Sequence, residues 1–431
     1  MRSGKRQDRR FHRSSTAVGA GLGSGTGVPG PTTWTGDDPG SCRQSSGELA
    51  TIVQSSMDPM RIPTKTTLLP PLTLCVLVAA SSLARAECPD IAPFKEAREI
   101  VGDLGRIVAP SGIQESYKVR IGGVDQWLNV RGQDRSNPII LFIHGGPASP
   151  LTPTIWQFQR PLEEYFTIVN WDQRGAGKTY REASPAAMKG TIHIPRYVAD
   201  AVEVAEYVER RYHVAKVILM AHSWGTVVGL HAVEKRPDLF FAYVGLGQII
   251  NMRDNERMSY DYGVEQARKH KNAPALRELA TIAPYPGKQP ITRERIIIAR
   301  KWAQFYGGLS AFREDSRYFF NAPLLSPEYD RNDVCSIDKG NVLTLGAILP
   351  EFLAVDFSRV RSLSVPVVLF MGRHDFTTPS ERTAAWLSRV EAPYKRGVWF
   401  ERSAHMIPWE EPGKMLVSLL TYVRPLATKK R

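Results

Sequence analysis

Three side chains able to carry out nucleophilic catalysis stand far apart in this 431-residue chain, and each follows a run with the composition of a buried strand. Ser223 lies in Ala221-His222-Ser223-Trp224-Gly225, between the apolar run 217–221 and a segment, 225–233, that reads as a packed helix ending near Arg236-Pro237. Small residues two before and two after the serine allow a strained strand-to-helix turn that lifts Oγ above a sheet. A serine hydroxyl is a weak nucleophile by itself and needs a base, which in turn needs an orienting acid. Asp375 ends Gly372-Arg373-His374-Asp375 after the apolar run 367–371, at the carboxyl end of a strand. His405, in Ser403-Ala404-His405, follows a last short strand at 397–400. Upstream, the continuous apolar run 138–143 ends in His144-Gly145-Gly146-Pro147, whose glycines can turn backbone N–H groups inward. A donor from Gly145 or Gly146, with the N–H of Trp224, is the expected oxyanion hole, each donor being worth about 3 kcal/mol of barrier.

The remaining histidines near these motifs have simpler readings. His222 and His374 are expected to support the site or the fold, and His144 to fix the glycine loop through a hydrogen bond. Gly177-Lys178-Thr179 is no phosphate loop, because the first glycine of that pattern would fall on Asp172. The sequence offers neither HExxH nor clustered cysteine and histidine ligands, so the expected chemistry needs no metal and no cofactor.

The elements that must position these residues follow from hydrophobic periodicity. Segments 114–120 and 124–130 alternate apolar and polar residues across Gly122-Gly123, an antiparallel hairpin. Buried strands are expected at 139–143, 166–171, 217–221, 242–246 and 367–371, and Val198, Val202, Ala205, Val208 and Tyr212 mark one apolar face of a helix. Strands alternating with helices predict an α/β fold with a mostly parallel, doubly wound sheet. Thr378-Pro379-Ser380-Glu381 reads as a capping box with proline at the first helical position, and Glu410-Glu411-Pro412 as the start of a terminal helix. From 250 to 359 the rhythm changes to polar helical segments, read as a helical cap that excludes water and chooses the substrate. The core then comprises 87–249 and 360–431. Most cap aromatics, among them Tyr260, Tyr262, Trp302, Phe305 and Tyr306, are expected to form the cap's own core, and others to line an apolar pocket.

Four motifs carry a resemblance to a known family: His144-Gly145-Gly146-Pro147, Trp171-Asp172-Gln173-Arg174-Gly175-Ala176-Gly177, His222-Ser223-Trp224-Gly225-Thr226, and Gly372-Arg373-His374-Asp375 with Ser403-Ala404-His405. Over about residues 113–427 the chain resembles the α/β-hydrolase superfamily, and within it the proline-iminopeptidase-like serine peptidases. The resemblance implies an α/β-hydrolase fold with an inserted helical cap and a triad of Ser223, Asp375 and His405. It implies an aminopeptidase acting through an acyl-enzyme, with a small peptide as substrate. The Trp171–Gly175 turn then shapes the site without taking part in the chemistry. Departures are Ala148 after the glycine loop and Ala221-His222 before the serine, where the fuller family form has glycines. The glutamate motifs by which iminopeptidases hold a free amine are not matched. An esterase or amidase acting on a small acyl substrate is the rival reading, and a non-catalytic binding protein of the same fold is a third.

The first 59 residues lack any apolar period and read as unstructured, non-native upstream sequence. The basic start at Met60, the apolar run 68–80 and Ala84-Arg85-Ala86 read as a cleavable secretory signal, with translation from Met57 or Met60 and a mature start at Glu87. A periplasmic or secreted location is therefore expected, with no stable membrane insertion after cleavage. Export leaves Cys88 and Cys335 in the mature chain, either paired, tying the N-terminus to the cap, or as two independent thiols. The net charge of +13 includes ten basic against five acidic side chains in residues 1–86, leaving 46 against 38, or +8, spread without a basic block. No nucleic-acid partner is expected from so diffuse a charge.

Overall fold

Eight strands form one sheet in the order β1-β2-β4-β3-β5-β6-β7-β8 in the computed structural model, which describes residues 88–428 apart from 184 and 189. The upstream extension and the proposed signal segment lie outside the described residues. β1 (Ile113–Ile121) and β2 (Val124–Gly132) pair antiparallel across Gly122 and Gly123, both at positive φ. β2 also runs antiparallel to β4 (Thr167–Asp172), and from there the sheet is parallel through β3 (Ile139–Ile143), β5 (Val217–His222), β6 (Phe240–Leu246), β7 (Val367–Gly372) and β8 (Lys395–Phe400). Burial explains the two kinds of sequence pattern. β1 alternates buried and exposed residues because one of its faces meets solvent, whereas β3, β4, β5 and β7 are buried throughout.

Helices cover both faces and divide the core in two. One apolar cluster packs the helices Ile194–Tyr212 and Trp224–Lys235 against Leu141, Leu219 and Leu369, and the other packs the C-terminal helices against Phe142, Met220 and Phe370. In Ile194–Tyr212 the buried stripe is Tyr197, Val198, Ala201, Val204, Ala205 and Val208. It lies slightly round from the predicted face, because Val202 and Tyr212 are only partly covered.

Between β6 and β7 the chain leaves the sheet for a run of helices, Met252–Lys269, Ala273–Ala280, Arg293–Phe305, Arg317–Phe320 and Arg331–Leu353. Two small apolar clusters inside this run are separate from the sheet's core. The long helix Arg331–Leu353 begins with a capping box between Asp330 and Asp333 and lies close to the β4 turn, where Ser336 donates to Gly177 O. On it, Cys335 is joined by a disulfide to Cys88, so the paired reading of the two cysteines is the one found.

One predicted local motif is absent. The helix after the acid loop, Ser380–Arg389, has Pro379 at its N-cap and no side-chain cap, so Thr378-Pro379-Ser380-Glu381 is not a capping box. The Thr378 hydroxyl is turned the other way, toward Asp375 and His405, where a charged acceptor binds it more strongly than a backbone amide would.

Candidate functional site

β5 delivers Ser223 at the carboxyl edge of the sheet's middle, and the turn that follows has the strain the sequence implies. Ser223 holds φ 54° and ψ −122°, a conformation costly for a residue with a side chain and sustained only by rigid surroundings. Those surroundings are backbone. A Cβ on Gly225 would meet Ile143 O at 2.4 Å and His144 O at 2.7 Å, so the helix can start against the end of β3 only with glycine there. The Ser223 N–H donates to Leu246 O at 2.9 Å, tying the turn to the end of β6. Trp224 opens the helix, where backbone N–H groups have no intrahelical acceptor.

The glycine loop after β3 closes onto this turn. Gly145 lies against the elbow so tightly that a Cβ on it would stand 3.1 Å from Ser223 Cβ, and Gly146, at φ 113°, turns the loop away. His144 fixes the loop as the sequence predicts: Nδ1 donates to Gly145 O at 2.8 Å and Nε2 accepts the Gln173 N–H at 3.2 Å. Burial pushes this imidazole down to about 4, so it is neutral at neutral pH. Gln173, in the Trp-Asp-Gln-Arg-Gly turn, joins loop and elbow by donating to His144 O and accepting the Trp224 indole N–H.

β7 and β8 supply the other two residues. His405 Nδ1 lies 2.8 Å from Asp375 Oδ2, and the neutral ring must be protonated at Nδ1 because a carboxylate can only accept. Asp375 is held by four donors: its Oδ1 takes the N–H groups of Thr377 and Thr378 at 2.9 and 2.8 Å, and its Oδ2 takes His405 and the Thr378 hydroxyl at 2.9 Å. Gly247, the residue after Ser223's backbone partner Leu246, presses on His405 from the elbow side, since a Cβ there would stand 2.7 Å from His405 Cε1. The structure therefore brings Asp375 and His405 into direct contact, while Ser223 makes its hydrogen bonds through its backbone, to Leu246 and Thr226.

His222 sits outside this relay. Its Nε2–H donates to His405 O at 3.0 Å and its ring lies 4.7 Å from that of His405. Burial, then the neighbouring His405, push it down to about 3, so it stays uncharged beside that ring. His374 packs against Phe312. Two groups whose contacts sequence reasoning missed are Thr378, read as a helix cap, and Glu410, in the Glu410-Glu411-Pro412 string that does open the helix Pro412–Ser418. Glu410 also accepts the Ala404 N–H at 2.8 Å and the Ala311 N–H at 2.6 Å.

The helical insertion reaches the site along its acid edge. Tyr262 stacks on Phe376 with ring centres 3.6 Å apart, directly beyond Asp375. Trp302, Phe305 and Tyr306 contact one another and pack with Ala267 and Leu279, so these aromatics are the cap's own core. A fully buried carboxylate, Glu256, accepts from Arg300 Nε at 3.0 Å and from the Tyr285 hydroxyl. Among the described residues no group of three or more histidine, cysteine or carboxylate side chains is arranged to hold a metal ion, and no helix is long and apolar enough to cross a membrane.

A parallel sheet with an elbow serine after its central strand, and an acid and a histidine on later strand ends, is the architecture of one large hydrolase class. A family model described as the alpha/beta hydrolase family matches residues 140–419, and the chain belongs to that family of hydrolases. It is 32% identical over 310 residues to Probable aminopeptidase YbaC of Bacillus subtilis, covering 71% of this chain and 95% of that one. A shorter match, 29% over 107 residues and 25% of each chain, is to a proline iminopeptidase of Arabidopsis thaliana. Among solved structures, the proline iminopeptidase of Mycobacterium smegmatis superposes with a TM-score of 0.53 at 15% identity, covering 73% of this chain and 99% of that one.

Proposed function

We propose that the chain is a serine aminopeptidase that releases an N-terminal residue from small peptides through an acyl-enzyme. Ser223 Oγ attacks the scissile carbonyl, His405 Nε2 takes its proton and returns it to the leaving amine, and Asp375 holds the imidazole in the required tautomer. The N–H groups of the glycine loop and of Trp224 receive the oxyanion. Water then repeats the sequence to free the acid. The observation that carries this reading is the 2.8 Å contact from His405 to Asp375, in a fold whose elbow after β5 holds a serine at φ 54°. Among the described residues the Ser223 hydroxyl makes no hydrogen bond to His405; catalytic hydrogen bonds in unliganded sites often tighten only with substrate bound. The aminopeptidase specificity draws support from the Bacillus subtilis relative.

One observation favours a second reading, an esterase or amidase on small acyl substrates. The buried cap carboxylate Glu256 is already occupied by Arg300 and Tyr285, leaving it poorly placed to receive a substrate ammonium. Hydrolysis of proline naphthylamide, compared with its N-acetylated form and with short acyl esters, separates the two. The aminopeptidase reading expects the acetylated compound to be refractory, and equal turnover of both amides with faster ester cleavage would replace it with the rival. Export fits the Cys88–Cys335 disulfide, which persists in oxidising compartments. N-terminal sequencing of protein isolated from its host is expected to begin at Glu87, and a sequence starting within 1–59 would refute export by this signal.

A further inference from the structure

The loop carrying His405 is held from two sides by backbone and carboxylate contacts that the proton relay itself does not use. On one side, a strap of the helical insertion, residues 308–311, binds both catalytic loops: Gly308 O accepts the Phe376 N–H at 3.0 Å and the Thr377 hydroxyl at 3.2 Å, and Leu309 O accepts the His405 N–H at 3.0 Å. On the other side stand two consecutive glutamates. Glu411 Oε2 accepts the Arg402 N–H at 2.9 Å and the Ser403 hydroxyl at 2.8 Å. Glu410 spans the gap between the two sides, with Oε2 on the Ala404 N–H at 2.8 Å and Oε1 on the Ala311 N–H at 2.6 Å.

We infer that Glu410 is a positioning residue for His405, an ionisable clasp whose two carboxylate oxygens lock the base loop to the cap strap and so set the geometry of proton transfer. The inference rests on the reading of His405 as the base. A carboxylate has an acceptor for each of the two N–H groups. A carboxylic acid does not, because its hydroxyl oxygen is a poor acceptor and carries a hydrogen of its own. Protonation therefore releases either Ala404 or Ala311.

The titration falls where it matters. Burial is the largest influence and raises Glu410 to about 7; the two backbone N–H groups and Arg313 pull it down, and Asp375 pushes it up. The charged and titratable groups facing it are thus Arg313 and Tyr318 from the helical insertion just beyond the strap and Asp375 from the acid loop, with Glu411 and His405 on its own segment. The clasp is closed above about pH 7 and opens as pH falls through that value. Protonation of the base lowers activity in the same direction, so the acid limb of log(kcat/KM) carries two protons and is steeper than a single ionisation allows.

Glu410→Gln fixes the open form, since an amide offers one acceptor and sets its NH2 against the second backbone N–H. At pH 8 it is expected to lose roughly tenfold to a hundredfold in kcat, with KM within about twofold, and to keep an acid limb with a slope of one proton. Arg313→Ala leaves the backbone contacts intact and removes the cation that holds the carboxylate ionised, so it is expected to move the steep part of the limb to higher pH. It is the informative variant if Glu410→Gln does not fold. A wild-type limb of one proton, unmoved by Arg313→Ala and unchanged in Glu410→Gln, would overturn the assignment. His405→Ala distinguishes that failure from failure of the base reading: full activity in His405→Ala removes the base itself, whereas loss of activity there with a one-proton limb removes only the clasp.

Discussion

At the scale of single residues, the proposed chemistry depends on how firmly Asp375 is held. Asp375 spends one oxygen on two backbone N–H groups and shares the other between His405 and the Thr378 hydroxyl. Thr378→Val keeps the volume and removes one charge-assisted donor, leaving the carboxylate free to swing from the imidazole. A hydrogen bond to a charged group is worth about 1.5–3 kcal/mol, so kcat is expected to fall roughly tenfold to a hundredfold with KM little changed. Steady-state kinetics on the most active substrate checks this, and an unaltered kcat would show that the backbone donors alone suffice. The strand-end positions of Ser223, Asp375 and His405 were legible in the sequence because each follows an apolar run. Thr378 was not, because a Thr-Pro-Ser-Glu string states a helix cap locally and only the folded site reveals a stronger, charged acceptor nearby.

At the scale of elements, glycines decide where strand ends and loops meet the site. Gly247 holds φ 55°, and a Cβ there would stand 2.7 Å from His405 Cε1 and 2.8 Å from Nδ1. Gly247→Ala is therefore expected to displace the imidazole from Asp375 and to abolish most activity, with a strained backbone besides. Gly346, within the helix Arg331–Leu353, has open space around its Cα. Gly346→Ala is expected to retain full activity and gain up to about 1 kcal/mol of stability from helix propensity. Activity assays with chemical denaturation check the pair, and equal tolerance at both positions would contradict the packing described. The strands were readable from apolar runs, and the hairpin from alternation around two glycines. The contacts of 308–311 with the loops of Asp375 and His405 left no trace in the sequence, since residues so far apart along the chain share no local pattern.

At the scale of the whole molecule, the site is built around imidazoles that the fold keeps neutral. His144 is held down to about 4 by burial, against an ordinary value near 6.5 in the unfolded chain. The folded value is the depressed one, so this group's stabilisation is intact above pH 6.5 and is lost as pH falls toward 4, where the unfolded chain takes the proton first. His144→Gln isolates the effect, because glutamine can accept the Gln173 N–H without titrating. The stability of the wild type relative to His144→Gln is expected to drop by about 3 kcal/mol between pH 7 and pH 4. Denaturation at the two pH values measures it, and a constant difference would mean that His144 is charged in the fold. The alternation of apolar strand runs with helices had indicated one α/β unit with an insertion, and the sheet order follows that plan. Pairing of Cys88 with Cys335 stayed open until the two were seen side by side, since spacing alone cannot choose between a bridge and two thiols.

The central claim is that Ser223 is made nucleophilic by His405 and Asp375. Intact-protein mass spectrometry after exposure to a fluorophosphonate reads it directly. One adduct, located by peptide mapping on Ser223, is expected in the wild type, with none in Ser223→Ala and strongly slowed labelling in His405→Ala. Labelling that persists in Ser223→Ala, or a wild-type protein that takes up no label, would contradict the account.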